Sequence, residues 1–215
     1  MAIYAGDLEI LQSVLPQLPK IWDGKQCVLE LQAADYNWRQ MEWWGFYFEF
    51  RVKQMLENSF TVPGDRFASV VFDLKRSVNW DIKAKAIKSD EHKVILNDRS
   101  AMEQSIKRHG WHGEIIGLCD VEYNDVNRSF QKWHTELKGG KSAYEVAREK
   151  RTAVSRYRKT KAELTQIVLL LLQEADLDQL AIMRQGRNSN GAPRPEKYMF
   201  DLETLDRFTS YAIDL

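Results

Sequence analysis

Residues 80–87 read WDIKAKAI, an alternation with a period of two. On a strand, residues two apart share a face, so Trp80, Ile82, Ala84 and Ala86 point one way and Asp81, Lys83 and Lys85 the other. No helix gives this sequence an apolar side. The segment therefore predicts a strand with one face on a core and the other carrying charge. A sheet built around such a strand needs helices to cover its apolar side. Residues 38–57 offer one, because Trp44, Tyr47, Phe48, Val52 and Leu56 recur at helical spacing.

The neighbouring segments extend the pattern. Residues 6–18 have Leu8, Leu11, Val14 and Leu15 at helical intervals, and residues 28–32 suit either a short strand or a turn of helix. After Pro63-Gly64-Asp65, residues 67–75 read as a strand joined to 80–87 through Arg76-Ser77-Val78-Asn79. Residues 93–96 predict a third strand, 100–109 a helix and 114–121 a buried-type strand. Beyond 126 the expectation is mostly helical: 127–137, a basic helix at 144–158, an apolar helix at 161–174, a short strand at 198–202 and a final helix. The fold class is then α/β, a mixed central sheet flanked by helices, with a mostly helical C-terminal half. A length of 215 residues with 44% hydrophobic content suits a single domain. Its parts are an N-terminal helical region (1–37), a core (38–125) and a helical, phosphate-facing region (126–215).

The charged face of 80–87 carries the candidate chemistry. A carboxylate at Asp81 beside an ammonium at Lys83 suits phosphodiester hydrolysis, with the acid holding Mg²⁺ and the lysine orienting water or stabilising phosphate charge. Mg²⁺ takes oxygen ligands and keeps several waters, so one or two further acids suffice. Asp73 qualifies if the turn before the strand has an odd length. With positions 76 and 80 paired it lies opposite Lys83, on the Asp81 face, whereas an even turn puts it on the other face. Glu49 is the second candidate, a lone acid in the aromatic run 43–50, where burial without a partner is costly.

A helix carrying Glu49, a strand meander carrying Asp73 and Asp81-Ile82-Lys83, then a helix and a strand, resembles the PD-(D/E)xK nuclease superfamily, which includes the type II restriction endonucleases. The resemblance covers about residues 38–125. It implies a restriction-endonuclease-like core, with Glu49, Asp73 and Asp81 as metal-holding acids, Lys83 as catalytic lysine and Mg²⁺ as cofactor. It further implies double-stranded DNA as substrate, 5′-phosphate and 3′-hydroxyl ends, a homodimer for palindromic sites and a cognate DNA methyltransferase as functional partner. The sequence departs from the superfamily pattern in having no Pro before Asp73 or Asp81. A second Asp-x-Lys, Asp73-Leu74-Lys75 with Asp65 upstream, gives an alternative triplet. A monomeric nicking or repair nuclease and a non-catalytic nucleic-acid-binding module are the competing functions.

Formal charge balances at 31 basic and 31 acidic residues, yet nine of the bases fall within 138–161 against two acids, Glu145 and Glu149. Among them Arg151, Arg156, Arg158 and Lys159 are expected to meet phosphate. The polar loop 184–194 supplies Arg184, Arg187, Asn188, Asn190 and Arg194, side chains suited to reading guanine and adenine edges. His109 and His112 are read as a turn between helix and strand. Cys27 and Cys119 lack any metal or redox spacing and are expected to be free buried thiols. With no basic segment leading into an apolar run and no long apolar stretch, a cytoplasmic protein without membrane contact is expected.

Overall fold

The computed structural model describes residues 2–64, 71–87, 91–123, 125–150, 157–187 and 191–215. Helix α1 (Ala5–Val14) is followed by strand β1 (Ile21–Asp23), α2 (Gly24–Ala33) and α3 (Trp43–Leu56). Then come β2 (Leu74–Lys75), β3 (Asn79–Ala86), β4 (Lys93–Asp98), α4 (Arg99–His109) and β5 (His112–Glu122). The rest is α5 (Ser129–Leu137), α6 (Ala143–Lys150), β6 (Lys161–Leu172), β7 (Ala181–Met183), β8 (Lys197–Asp201) and β9 (Thr209–Asp214).

A mixed six-stranded sheet runs β1-β6-β5-β3-β2, with β9 also on β6. Strands β3 and β5 are parallel and the other pairs antiparallel. A parallel neighbour requires a crossover. Here β4 and α4 form it, so α4 lands on one face while α1, α2 and α3 cover the other. The three-stranded sheet β4-β8-β7 stands beside α4.

Each face of the large sheet has its own core. On the first, Trp80, Ile82, Ile115, Ile167, Leu169 and Leu171 meet Leu11, Leu31, Phe48 and Val52 of the first three helices. On the second, Ile116, Leu118, Val168, Leu170 and Leu172 meet Met102 and Ile106 of α4, Val94 and Leu96 of β4, and Tyr198 and Phe200 of β8.

This two-sided burial corrects the expectation of a mostly helical C-terminal half. Residues 161–174 do not form a helix; Lys161–Leu172 is β6, paired with β5 on one side and with β1 and β9 on the other. A strand buried on both faces reads as an unbroken apolar run, which periodicity cannot separate from a buried helix. The final helix is also absent: a short 3₁₀ segment, Leu202–Arg207, leads into β9. Residues 28–32 belong to α2. The third strand of the expected meander, β4, pairs with β8 rather than β3. The predicted basic helix is described only as Ala143–Lys150, and residues 151–156 lie outside the described residues. Of the expected strand 67–75, only Leu74–Lys75 forms one; residues 71–73 are irregular, and 65–70 lie outside the described residues.

Helix α3 covers Trp43–Leu56 of the expected 38–57, residues 38–42 being non-helical, and buries Trp44, Tyr47, Phe48, Val52 and Leu56. It lies close on the sheet because β5 has a glycine beneath it. A Cβ on Gly117 would meet the Phe48 ring at 2.8 Å.

Candidate active site

The turn between β2 and β3 sets the register. Leu74 pairs with Trp80 and Lys75 with Asn79, leaving Arg76-Ser77-Val78 as an odd, three-residue turn. The pairing is displaced by two residues from the expected one, and Asp73 falls just outside it, bonded to Trp80 rather than opposite Lys83. Asp7 of α1 holds this turn from below. Its fully buried carboxylate accepts from Arg76 Nη1 at 2.9 Å, Ser77 N at 3.1 Å, Val78 N at 3.3 Å and Trp80 Nε1 at 3.0 Å.

Asp73 stands just before β2. Its amide donates to Trp80 O at 3.0 Å, continuing the ladder by one bond. Its Oδ2 then accepts from Ile82 N at 2.9 Å, taking the place of a strand carbonyl at the open edge of β3. The other oxygen, Oδ1, accepts from Lys53 Nζ at 2.8 Å. Lys53 also donates to Glu49 Oε1 at 2.6 Å and to Tyr36 Oη at 3.2 Å, and the Tyr36 hydroxyl donates to Glu49. The lone acid of the aromatic run thus has its partners. Lys53 was overlooked in the sequence, although Glu49 and Lys53 have the i, i+4 spacing of a helical ion pair.

Asp81 and Lys83 project from the second face of β3, with Lys83 Nζ 3.6 Å from Asp81 Oδ1. Asn97 Nδ2 donates to Asp81 Oδ2 at 2.7 Å. The parallel neighbour β5 adds two groups that sequence reading missed. Asn79 pairs with His112 and Asp81 with Glu114, which places these side chains on one face. His112 Nε2 lies 3.1 Å from Asp81 Oδ2 and 3.5 Å from Glu114 Oε1. One ligand atom from each of Asp81, His112 and Glu114 falls within 4.8 Å of the others, and all three residues are buried. The signal was present as His112-Gly113-Glu114, the same two-residue spacing that singled out Asp81 and Lys83.

Mutual fields set the protonation states. Burial alone would raise Asp81, but Lys83, then His112 and Asn97, hold it down at about 2. Burial opposes the charge on Lys83, and Asp81 and Glu114 outweigh it, so Lys83 stays charged well above the usual lysine range. Burial likewise works against a proton on His112, while Asp81 and then Glu114 bring it up to about 9. Asp73 moves the other way, pushed up to about 6 by burial and by Glu49 in spite of Lys83. The set can therefore offer an ionised carboxylate, a fixed cation and a titrating acid at one edge of the sheet.

Lys83 opens onto a cleft of about 470 Å³ that it shares with Lys85, Lys93, Ile95, Met183 and Met199. None of the described residues expected to meet phosphate lines this cleft. Lys159 is committed to Glu42 at 2.6 Å and lies over the Trp44 ring at 5.0 Å. Arg158 is buried. Arg184 is exposed with its Nε 3.3 Å from Glu196 Oε1, Arg187 donates to Gly191 O at 2.7 Å, and Arg194 is exposed. Arg151, Arg156, Asn188 and Asn190 lie outside the described residues, as does Asp65 of the alternative triplet. Cys27 and Cys119 are free and buried. Among the described residues no helix is long and apolar enough to cross a membrane. No protein-family model, no curated protein and no solved structure matches the chain.

Proposed function

We propose that this protein is a Mg²⁺-dependent endonuclease acting on double-stranded DNA, of the type II restriction kind. The observation that carries the reading is the gathering of Asp73, Asp81 and Lys83 at the open edge of β3, with Glu49 tied to Asp73 through Lys53. The order α3, β2, β3, β4, α4, β5, with β3 parallel to β5, supports a restriction-endonuclease-like core, from which β4 departs by pairing with β8.

A cation suits the Asp81 side of this edge, where both oxygens of neighbouring Glu114 are buried without a hydrogen-bond partner. It suits the Glu49 side less, because Lys53 already lies between Glu49 and Asp73. Asp81 is therefore the residue placed to hold Mg²⁺, Asp73 would join it where the ion takes the place of Lys53 at Oδ1, and Glu49 acts through Lys53 on the position of Asp73. When bound, Mg²⁺ supplies polarisation of the phosphate and a more acidic water. Lys83, held charged beside Asp81, orients the attacking water or meets the charge that develops on the phosphate. Asn97 fixes the Asp81 carboxylate from one side. The cleft beyond Lys83, with Lys85 and Lys93, provides a path for the sugar–phosphate strand. Arg184, Arg187 and Arg194 are the described arginines of the 184–194 loop, all exposed, and would have to exchange their present contacts to meet bases or phosphates.

Incubating the purified protein with supercoiled plasmid and Mg²⁺ tests the proposal. Linear products with defined ends, lost in Asp81→Ala, are expected. Products that stop at open circle would assign a nicking enzyme instead. DNA binding without any cleavage, unaffected by Asp81→Ala, would leave a binding module. The restriction reading also expects a dimer on gel filtration, matching a palindromic site.

A further inference from the structure

We propose that Asp81, His112 and Glu114 bind a single divalent transition-metal ion of the Mn²⁺, Co²⁺ or Zn²⁺ class. This goes beyond the DNA reading: His112 and Glu114 are not ligands in that assignment, and binding needs no DNA.

The spacing is that of ligands on one ion. Bonds of ~2.1 Å put neighbouring ligand atoms about 3.0 Å apart in an octahedron and about 3.4 Å apart in a tetrahedron. His112 Nε2 stands 3.1 Å from Asp81 Oδ2 and 3.5 Å from Glu114 Oε1.

A purely structural ion pair accounts for less. A protonated imidazole has a single N–H at Nε2 to share between two carboxylates. In this arrangement His112 Nε2 lies within ion-pair reach of both acids without hydrogen-bond geometry to either, and both Glu114 oxygens are buried with no hydrogen bond. Glu114 is fully buried. An ionised carboxylate in that position calls for a cation.

The surroundings prepare the imidazole for the task. Asn79 Nδ2 donates to Ser105 Oγ at 3.0 Å and so occupies one lone pair of that hydroxyl. His112 Nδ1 lies 3.1 Å from the same oxygen, whose second lone pair can accept Nδ1–H. With that bond made, loss of the Nε2 proton to an incoming metal ion leaves a bare Nε2 facing the two acids. A hydrogen bond on the far nitrogen is the usual means of orienting a metal-bound histidine. Asn97 performs the same service for Asp81.

The donor set selects the class. One imidazole with two carboxylates favours first-row transition ions, whereas Mg²⁺ prefers oxygen alone. Three protein ligands also leave room for a water or a substrate oxygen.

The test is to titrate metal-free protein with Co²⁺, following the visible absorption of the bound ion and the metal retained after gel filtration. One Co²⁺ per chain is expected, and an equal concentration of Mg²⁺ should not displace it. Glu114→Gln and His112→Ala should weaken binding about 100-fold or more, Ser105→Ala about tenfold, and Asp73→Asn hardly at all. Circular dichroism checks the fold of each. If the ligand variants do not fold, Ser105→Ala decides: unchanged Co²⁺ affinity overturns the site. Wild-type protein that retains no Co²⁺, ligand variants that fold and retain it fully, or ready displacement by Mg²⁺ also overturn it. Protein that holds Co²⁺ this way and leaves plasmid uncut keeps the site and sinks the nuclease reading. Cleavage with Mg²⁺ and no Co²⁺ retention does the reverse.

Discussion

Strands β3 and β5 run side by side and present opposite chemistry on their two faces. On one face Trp80, Ile82 and Ile115 are packed beneath three helices, and Gly113 and Gly117 leave room for the rings of Trp80 and Phe48. On the other face, at the same level, Asn79, Asp81, His112 and Glu114 are equally hidden from solvent. Apolar burial is favourable in itself, while charged burial stands only if partners are supplied. The first face can thus tolerate exchange among hydrophobes of similar volume. The second depends on a few particular atoms: Ser105 from α4, Asn97 from the end of β4 and Lys83 from β3 itself. The apolar face gives the sheet its stability, and the polar face spends part of it on a preorganised site.

The β2–β3 turn sets how β2 and Asp73 meet β3, and Asp7 fixes that turn. Asp7→Ala would leave the Trp80 indole N–H and the turn amides without an acceptor and Arg76 without its counter-charge. A loss of about 3–5 kcal/mol is expected in urea unfolding, as for one partner removed from a buried ion pair. A loss below 1 kcal/mol would mean that the turn holds its register without Asp7.

Lys83→Ala addresses the polar face directly. It removes the cation nearest Asp81 and leaves the apolar face intact. Under the proposed function, plasmid cleavage should fall by about 10²–10³, or about 2.7–4 kcal/mol of transition-state stabilisation, with the Mg²⁺ requirement retained. Single-turnover rates measure it. Full cutting by this variant would remove the site from β3, and loss in Lys75→Ala instead would move it to the earlier triplet.

Sequence pattern read the two faces unequally. Trp80 and Ile82 announce the apolar face through strict alternation, and Asp81 and Lys83 follow on the other by parity. The parity of Asp73 was open, because it depends on a turn that Asp7 stabilises from 69 residues away or more. His112 and Glu114 were passed over for a different reason. Their role arises from the parallel pairing of β5 with β3, a contact between segments separated by a crossover. Even so, an acid inside the otherwise apolar 114–119 run deserved the suspicion given to Glu49. The strand β6 went unrecognised because continuous apolar sequence describes burial on all sides and says nothing of period.

Gly117→Ala perturbs the apolar face and transmits the change to the polar edge. The added Cβ would meet Phe48 ring atoms at 2.8–3.0 Å, so α3 must shift outward. Overpacking of this kind costs about 1–3 kcal/mol. Because Glu49 and Lys53 are on α3, Asp73 should lose some of its hold on Lys53 and cleavage should drop modestly as well. Thermal unfolding alongside rate measurement separates the two. Reduced stability with an unchanged rate would show that the faces are mechanically independent at this level.

The smallest effect is expected on β5 itself. Glu114 and Glu122 are the same residue type on one strand and point to the same side of the alternation up to the bulge after Leu118. Glu114 is fully buried, whereas the Glu122 side chain is 59% exposed and pairs with Lys161, itself 44% exposed, at 3.4 Å. An exposed pair of this kind contributes about 0–1 kcal/mol, and salt screens it. Glu122→Gln should therefore change stability by less than 1 kcal/mol, shrinking further at high salt, and leave Co²⁺ binding untouched. Glu114→Gln differs by the same single atom, yet at its position that atom decides whether the buried cluster has the charge to hold a cation. If the two substitutions shift Co²⁺ affinity alike, the acid acts through its long-range field, and the contrast between buried and exposed ends of the strand has no bearing on binding.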